Sequence, residues 1–243
     1  MRQKTKVVAF AGQKGGTGKT TVAVAFASNI HYLLRKKVLV IDVDSPQYSL
    51  WTYRNTELNQ LNENKKLAKA FEKQRIETYP IINDTIISVP RILDEYRRSN
   101  EFDIIIIDTP GTVNIPGYKE CLMAVDYIVT PLEAEDMSLT SNLEFISFII
   151  NDILNIHGST LKNYFVFWNK IRKTTNKDFF VEVHKSLVEN GINIMDALVE
   201  DRVDYQRNVC RSTLFPISSS HQNSGLGHLI KLISKEILKS STK

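Results

Sequence analysis

Short runs of β-branched residues alternate along this chain with stretches whose apolar residues recur every three to four positions. That alternation predicts a parallel sheet covered by helices, an α/β fold. The runs fall at 7–11, 38–42, 86–89, 103–108, 127–131, 164–168 and, more weakly, 192–199. Ile104-Ile105-Ile106-Ile107 carries no polar alternation, which predicts a strand buried on both faces near the sheet centre. After the first run, Val22, Phe26, Ile30 and Leu33 share a helical face, and after the fifth Leu139, Leu143, Ile146, Ile150 and Ile153 do the same. A third helical stretch ends at Asn190-Gly191, with Gly191 suited to the left-handed position past a helix C-terminus.

Residues 52–75 break the pattern. They are rich in Asn, Glu, Gln and Lys, with sparse apolar spacing through Leu58, Leu61, Leu67 and Phe71, which predicts one or two exposed helices. No repeat or low-complexity linker interrupts the 243 residues, so 1–243 reads as one domain, with 52–85 as a variable helical segment. At 42% hydrophobic and 24% charged the composition is globular, which excludes disordered, collagen-like and coiled-coil chains. Cys121 and Cys210 stand far apart with no CxxC, so cysteine-built zinc and iron–sulfur sites are excluded and two reduced, packed thiols are expected. The histidines form no ligand spacing, and Trp51 and Trp168 read as packing residues. The apolar run at 7–11 is too short for an export signal, and no stretch approaches the roughly 20 residues of a membrane span. A cytoplasmic location is expected.

The chemistry begins where the first run ends, at Gly12-Gln13-Lys14-Gly15-Gly16-Thr17-Gly18-Lys19-Thr20-Thr21. Glycines let a backbone wrap closely around phosphate, and the N–H groups at a helix start point at the anion. Lys19 adds a point charge for the β- and γ-phosphates, and the Thr20 hydroxyl suits Mg²⁺. The pattern departs from GxxxxGK[ST] at Gln13, and a dinucleotide GxGxxG fails because Thr21 stands where its last glycine belongs. Three carboxylates stand at strand ends, where open α/β sheets bind ligands: Asp42 and Asp44 after the second run, Asp108 after the isoleucines. Asp108 has the Walker B arrangement for holding Mg²⁺. One of the first two carboxylates is equally suited to capping the next helix. Asn169, after the sixth run, offers a donor and an acceptor to a purine edge, with a turn residue as the rival reading.

Lys14-Gly15-Gly16-Thr17-Gly18-Lys19-Thr20 resembles the deviant Walker A motif, KGGxGKT, of the ParA/MinD ATPases. Asp42-Val43-Asp44-Ser45-Pro46-Gln47 is similar to the DxDPQ segment of ParA proteins, with Ser45 as an extra residue. The resemblance runs through most of the chain and is to the short form of ParA, with a looser likeness to homologues on conjugative elements. It implies a P-loop NTPase fold of about seven strands, with ATP and Mg²⁺ as cofactors. It also implies hydrolysis that is slow without a partner. Lys14 would reach across an ATP-dependent homodimer to the other subunit's phosphates. Asp44 would orient or activate the attacking water, Asp42 would act near Mg²⁺, and Asn169 would hydrogen-bond adenine.

Charge then separates the destinations of such an ATPase. The formal net charge is only +4, yet nine acids and one base lie between Glu101 and Glu144, leaving +12 for the rest. Part of the acidic stretch belongs to the Mg²⁺·nucleotide site, with Glu133, Glu135 and Asp136 available for partner contacts. In the favoured reading, DNA partition, Arg202, Arg207, Arg211, Lys231, Lys235 and Lys239 are the candidates for sequence-independent phosphate contacts. A small ParB-like DNA-binding protein would be the stimulating partner. A second reading is a MinD-like membrane positioner, because Leu226, Leu229, Ile230, Ile233 and Ile237 share a face opposite lysines. A third is a conjugal-transfer accessory ATPase that docks proteins through 52–75.

Overall fold

The backbone pairs into a single parallel sheet in which the chain leaves the central strand in both directions. A computed structural model describes residues 4–73, 77–134, 136–207 and 209–239. The strands are β1 (Lys6–Phe10), β2 (Val38–Asp42), β3 (Ile81–Asn83), β4 (Ile104–Asp108), β5 (Tyr127–Glu133), β6 (Asn163–Ile171) and β7 (Ile194–Glu200). Their order is β3-β2-β4-β1-β5-β6-β7, with every pairing parallel. Because β1 sits between β4 and β5, the loops at its carboxyl end open a crevice at the topological switch point.

Alternating side chains of the strands feed two apolar layers. Val8, Phe10, Val40 and Ile106 pack under α1 (Lys19–Tyr32), α8 (Gly225–Leu238) and the start of α2 (Ser49–Glu63). Val7, Ala9, Ile41 and Ile107 face the layer of α4 (Val89–Ser99), α5 (Tyr118–Met123), α6 (Asp136–Phe148) and α7 (Lys177–Glu189). All four isoleucines of β4 are fully buried, as their unbroken run predicts, each stabilising the fold by roughly 1.5–3 kcal/mol. The apolar face of α8 lies against β7 and α1, with Leu226, Leu229, Ile230, Ile233 and Ile237 all buried. That face is therefore occupied by the core and does not offer itself to a membrane. No helix among the described residues is long and apolar enough to cross one.

Several expectations need correction. Residues 86–89 form no strand: Ile86–Ser88 is a 3-10 turn running into α4, because Pro90 suits a first helical turn and lacks the N–H a central strand needs. The strand lies earlier, at β3, where Pro80 and Asn83-Asp84 bracket two isoleucines. The polar stretch after β2 does form two helices, α2 and α3 (Lys65–Lys73). However, α2 buries Leu50, Arg54, Glu57 and Leu61, two of them charged. Leu33 ends α1 half-exposed, and Trp51 is 49% exposed, while Trp168 is core. Gly191 adopts the left-handed conformation expected of it, with φ 75°. Both cysteines are free and buried, and burial pushes the Cys121 thiol up to about 12.

Candidate functional site

The loop between β1 and α1 is shaped by contacts on both its sides. Gly18 precedes α1 with φ 93°, and a Cβ there would stand 2.4 Å from the Asn169 side-chain nitrogen, so only glycine fits. On the other side a Cβ on Gly111 would stand 2.5 Å from the Gly15 Cα. The turn after β4 thus presses backbone to backbone on the loop. Lys19 is buried, and its Nζ donates to the Lys14 carbonyl at 2.9 Å. Burial is the main force lowering its pKa, opposed by the carboxylates of Asp108, Asp44 and Glu133. Lys14 itself is exposed.

Thr20 and Asp108 meet. The Thr20 hydroxyl donates to Asp108 Oδ2 at 2.7 Å, while Asp108 Oδ1 is buried without a hydrogen-bond partner among the described residues. Burial raises the Asp108 carboxyl to about 7, helped by Asp42 and Asp44 and opposed by Thr20 and Lys19. An orphaned carboxylate oxygen beside a hydroxyl, at the mouth of a phosphate-wrapping loop, is the donor chemistry of a hard cation that takes its remaining ligands from phosphate and water. Among the described residues no cluster of three or more His, Cys, Asp or Glu could form an all-protein cage. The residues present therefore fit Mg²⁺ bound together with a nucleotide.

Asp42 lies beside Asp108 in the β2–β4 register, and its two oxygens accept the N–H groups of Asp44 and Leu50 at 3.2 and 2.9 Å. This carboxylate thereby caps the start of α2, the role that its place after β2 also allowed. Asp44 lines the cavity, its pKa raised by burial and by Asp42. Asn169 sits inside β6, lines the cavity and donates from Nδ2 to the Thr17 carbonyl at 2.6 Å. The cavity over the loop measures about 840 Å³ and extends past Thr21, Gln47 and Ile87 to Val199, Arg202, Tyr205 and Arg211. That volume suits a nucleotide.

The basic candidates divide. Arg202 and Arg211 stand in the cavity wall, whereas Arg207, Lys231 and Lys235 lie outside it. Arg202 and Arg207 both pair with Asp204, at 3.7 and 3.8 Å, and Lys231 donates to Asn223. Glu133 is a correction: it is buried and paired with Lys170 at 2.9 Å rather than open to a partner. Glu135 and the Asp136 side chain lie outside the described residues.

Sequence reasoning missed the charges inside α2. Arg54 donates from Nε to the Thr213 hydroxyl at 2.7 Å and from its two terminal nitrogens to the carbonyls of Tyr79 and Thr213, each at 2.9 Å. Glu57 accepts from the Ser212 hydroxyl at 2.6 Å and the Thr213 N–H at 2.7 Å. α2 is thus tied at one end to β2 through Asp42 and along its length to the segment that carries Arg211.

Comparisons with known proteins place the chain among relatives of one kind. The virulence plasmid ParA family protein pGP5-D of Chlamydia psittaci is 30% identical over 258 residues, covering 96% of this chain and 94% of that protein. A plasmid partition protein of Borrelia burgdorferi B31, solved with AMPPNP, superposes with a TM-score of 0.66 at 20% identity, over 96% of this chain and all of the other. The structure of pNOB8 ParA bound to nonspecific DNA gives a TM-score of 0.54 at 17% identity, over 96% and 94% of the two chains. The model of the CobQ/CobB/MinD/ParA nucleotide-binding domain matches residues 8–215, most of the chain, and the chain belongs to that family.

Proposed function

We propose that the protein is an ATP-driven switch for plasmid or DNA partition. ATP and Mg²⁺ bind at the P-loop, two copies close over the nucleotides, and the dimer holds DNA without sequence preference. A small ParB-like partner then stimulates an otherwise slow hydrolysis that releases the DNA. The observation that carries this reading is the Thr20–Asp108 pair beside buried Lys19 at the switch point of the sheet. Lys19 steadies the β- and γ-phosphates once they displace its ammonium from the Lys14 carbonyl. Exposed Lys14 turns outward toward a second subunit, where a cation in a closed interface stabilises charge on the transferring phosphoryl group. Asp44, in the cavity wall with its basicity raised, orients the attacking water. Thr20 and Asp108, with Asp42 behind them, would hold magnesium, which would supply charge neutralisation for the phosphates when bound. The Chlamydia plasmid relative supports the partition role, and the DNA complex of pNOB8 ParA supports DNA as the platform. Such a protein works in the cytoplasm, on the nucleoid.

A mobility-shift experiment with duplex DNA in ATP, ADP or no nucleotide tests the switch. Retention is expected in ATP alone. Lys14→Ala is expected to keep nucleotide binding while losing the ATP-bound dimer and, with it, about 100-fold in hydrolysis. Asp44→Ala is expected to trap the dimer and prolong DNA retention. Equal retention in all three nucleotide states would remove the switch, and none at low salt would remove DNA as the platform.

A further inference from the structure

Arg211 lies on the connection between β7 and α8, in the wall of the nucleotide cavity. Its guanidinium stands 5.1 Å from the centre of the Tyr53 ring on α2, and the Tyr53 hydroxyl donates to the Arg211 carbonyl. Unlike Arg202 and Arg207, which share Asp204, Arg211 joins no ion pair among the described residues. Its Nε is buried without a hydrogen-bond partner among those residues. Leaving a charged donor unsatisfied is unfavourable, and a guanidinium in a cavity wall with no carboxylate beside it among the described residues is suited to an acceptor that enters the cavity. Arginine presents a planar fork whose best partners are phosphate and paired oxygens.

Position along α1 narrows the acceptor. The P-loop and the N-terminus of α1 take the terminal phosphates. Arg211 comes in beside α1 beyond that point, on a segment whose next residue, Ser212, accepts a hydrogen bond from Ser28 on α1 through its carbonyl. Across the cavity, Asn169 and residues 199–202 line the remaining wall.

Building on the nucleotide reading above, we infer that Arg211 is a nucleotide-binding residue rather than a DNA contact. Its guanidinium receives the α-phosphate and ribose oxygens that ATP and ADP share, and Tyr53 is its positioning residue. The consequence is a direct line from α2 to the nucleotide. Tyr53 holds Arg211, while Arg54, the next residue, and Glu57, one turn along the same helix, fix the following residues Ser212 and Thr213.

The test is fluorescence titration of wild type, Arg211→Ala, Arg211→Lys and Tyr53→Phe with ATP and with ADP, each carrying a fluorophore on the base. DNA affinity is measured separately at saturating ATP over a range of salt. Arg211→Ala is expected to weaken ATP and ADP equally, by about tenfold. Arg211→Lys recovers part of that loss, and Tyr53→Phe, which keeps the ring and loses the hydroxyl, costs about threefold for both. The salt slope of DNA binding stays at the wild-type value. If Arg211→Ala melts before binding can be read, Arg211→Lys and Tyr53→Phe carry the comparison. Unchanged nucleotide affinity in these variants overturns the assignment, as does a loss confined to ATP or a salt slope reduced by about one with nucleotide binding intact. A wild-type chain that binds neither nucleotide overturns the P-loop reading as well, which separates the two failures.

Discussion

Asp108→Asn is expected to cut ATP hydrolysis by about 100-fold or more while making the nucleotide-free protein more stable above neutral pH. The two effects share one cause, a buried carboxylate that Thr20 and Lys19 only partly offset. Asp108 is fully buried, one oxygen accepts from the Thr20 hydroxyl and the other has no partner among the described residues, and burial raises its pKa from 3.8 to about 7. Between those two values the folded chain keeps a proton that the unfolded chain gives up. Stability from this group is therefore full below pH 3.8, falls as pH rises toward 7, and stays low above it. Asparagine carries no charge and escapes that loss. Thermal melts without nucleotide are expected to converge near pH 4 and to separate by several degrees at pH 8, with the variant higher. Phosphate release measured on the same preparations gives the catalytic half. A variant that melts below wild type at pH 8 would mean that the Thr20 hydrogen bond outweighs the desolvation of the carboxylate.

That carboxylate was legible in the sequence because an acid closing a run of four isoleucines is costly to bury unless a cation or a donor meets it. The P-loop was legible for a similar reason: glycine, lysine and threonine between a strand and a helix are tied to phosphate by backbone geometry. Strands buried on both faces announce themselves through runs such as Ile104–Ile107, where burial and β-branching agree. β3 did not, because its two isoleucines at Ile81-Ile82 are a weaker signal than Ile86-Ile87, and only Pro90 argues against the latter. The interior of α2 was hidden for a deeper reason. Arg54 and Glu57 look like a solvated helix face until the segment at 212–213, some 155 residues later, supplies their partners. Local pattern carries no information about a contact at that separation. Arg211 shows the same limit, since nothing local to a lone arginine in a basic C-terminal third announces that the fold brings it to the cavity wall.

Arg54→Ala is expected to be the most destabilising single change outside the apolar core, by about 3–5 kcal/mol. Burying this guanidinium is tolerable because each of its three nitrogens finds an acceptor, at Thr213 Oγ1 and the carbonyls of Tyr79 and Thr213, with the Tyr79 ring centre 4.6 Å from its carbon. Truncation leaves those carbonyls without their donor. It also removes the donor to Thr213 Oγ1, the hydroxyl that in turn donates to the Glu57 carboxylate, itself only 6% exposed. For a chain of this size such a loss lowers the melting temperature by roughly 10 °C. Arg54→Lys keeps the charge but offers a point where the site needs a fork, so it should fall between alanine and wild type. Glu57→Gln retains an acceptor for the Thr213 N–H and removes the buried negative charge, so it should cost less than Arg54→Ala. The measurement is thermal unfolding of the three variants with and without saturating ATP. Because α2 carries both this network and Tyr53, Arg54→Ala should also lose part of the ATP-induced rise in melting temperature, whereas a network that serves packing alone would leave that rise intact. A loss of less than about 1 kcal/mol in Arg54→Ala would show that water replaces the guanidinium and that α2 is not clamped to the nucleotide wall.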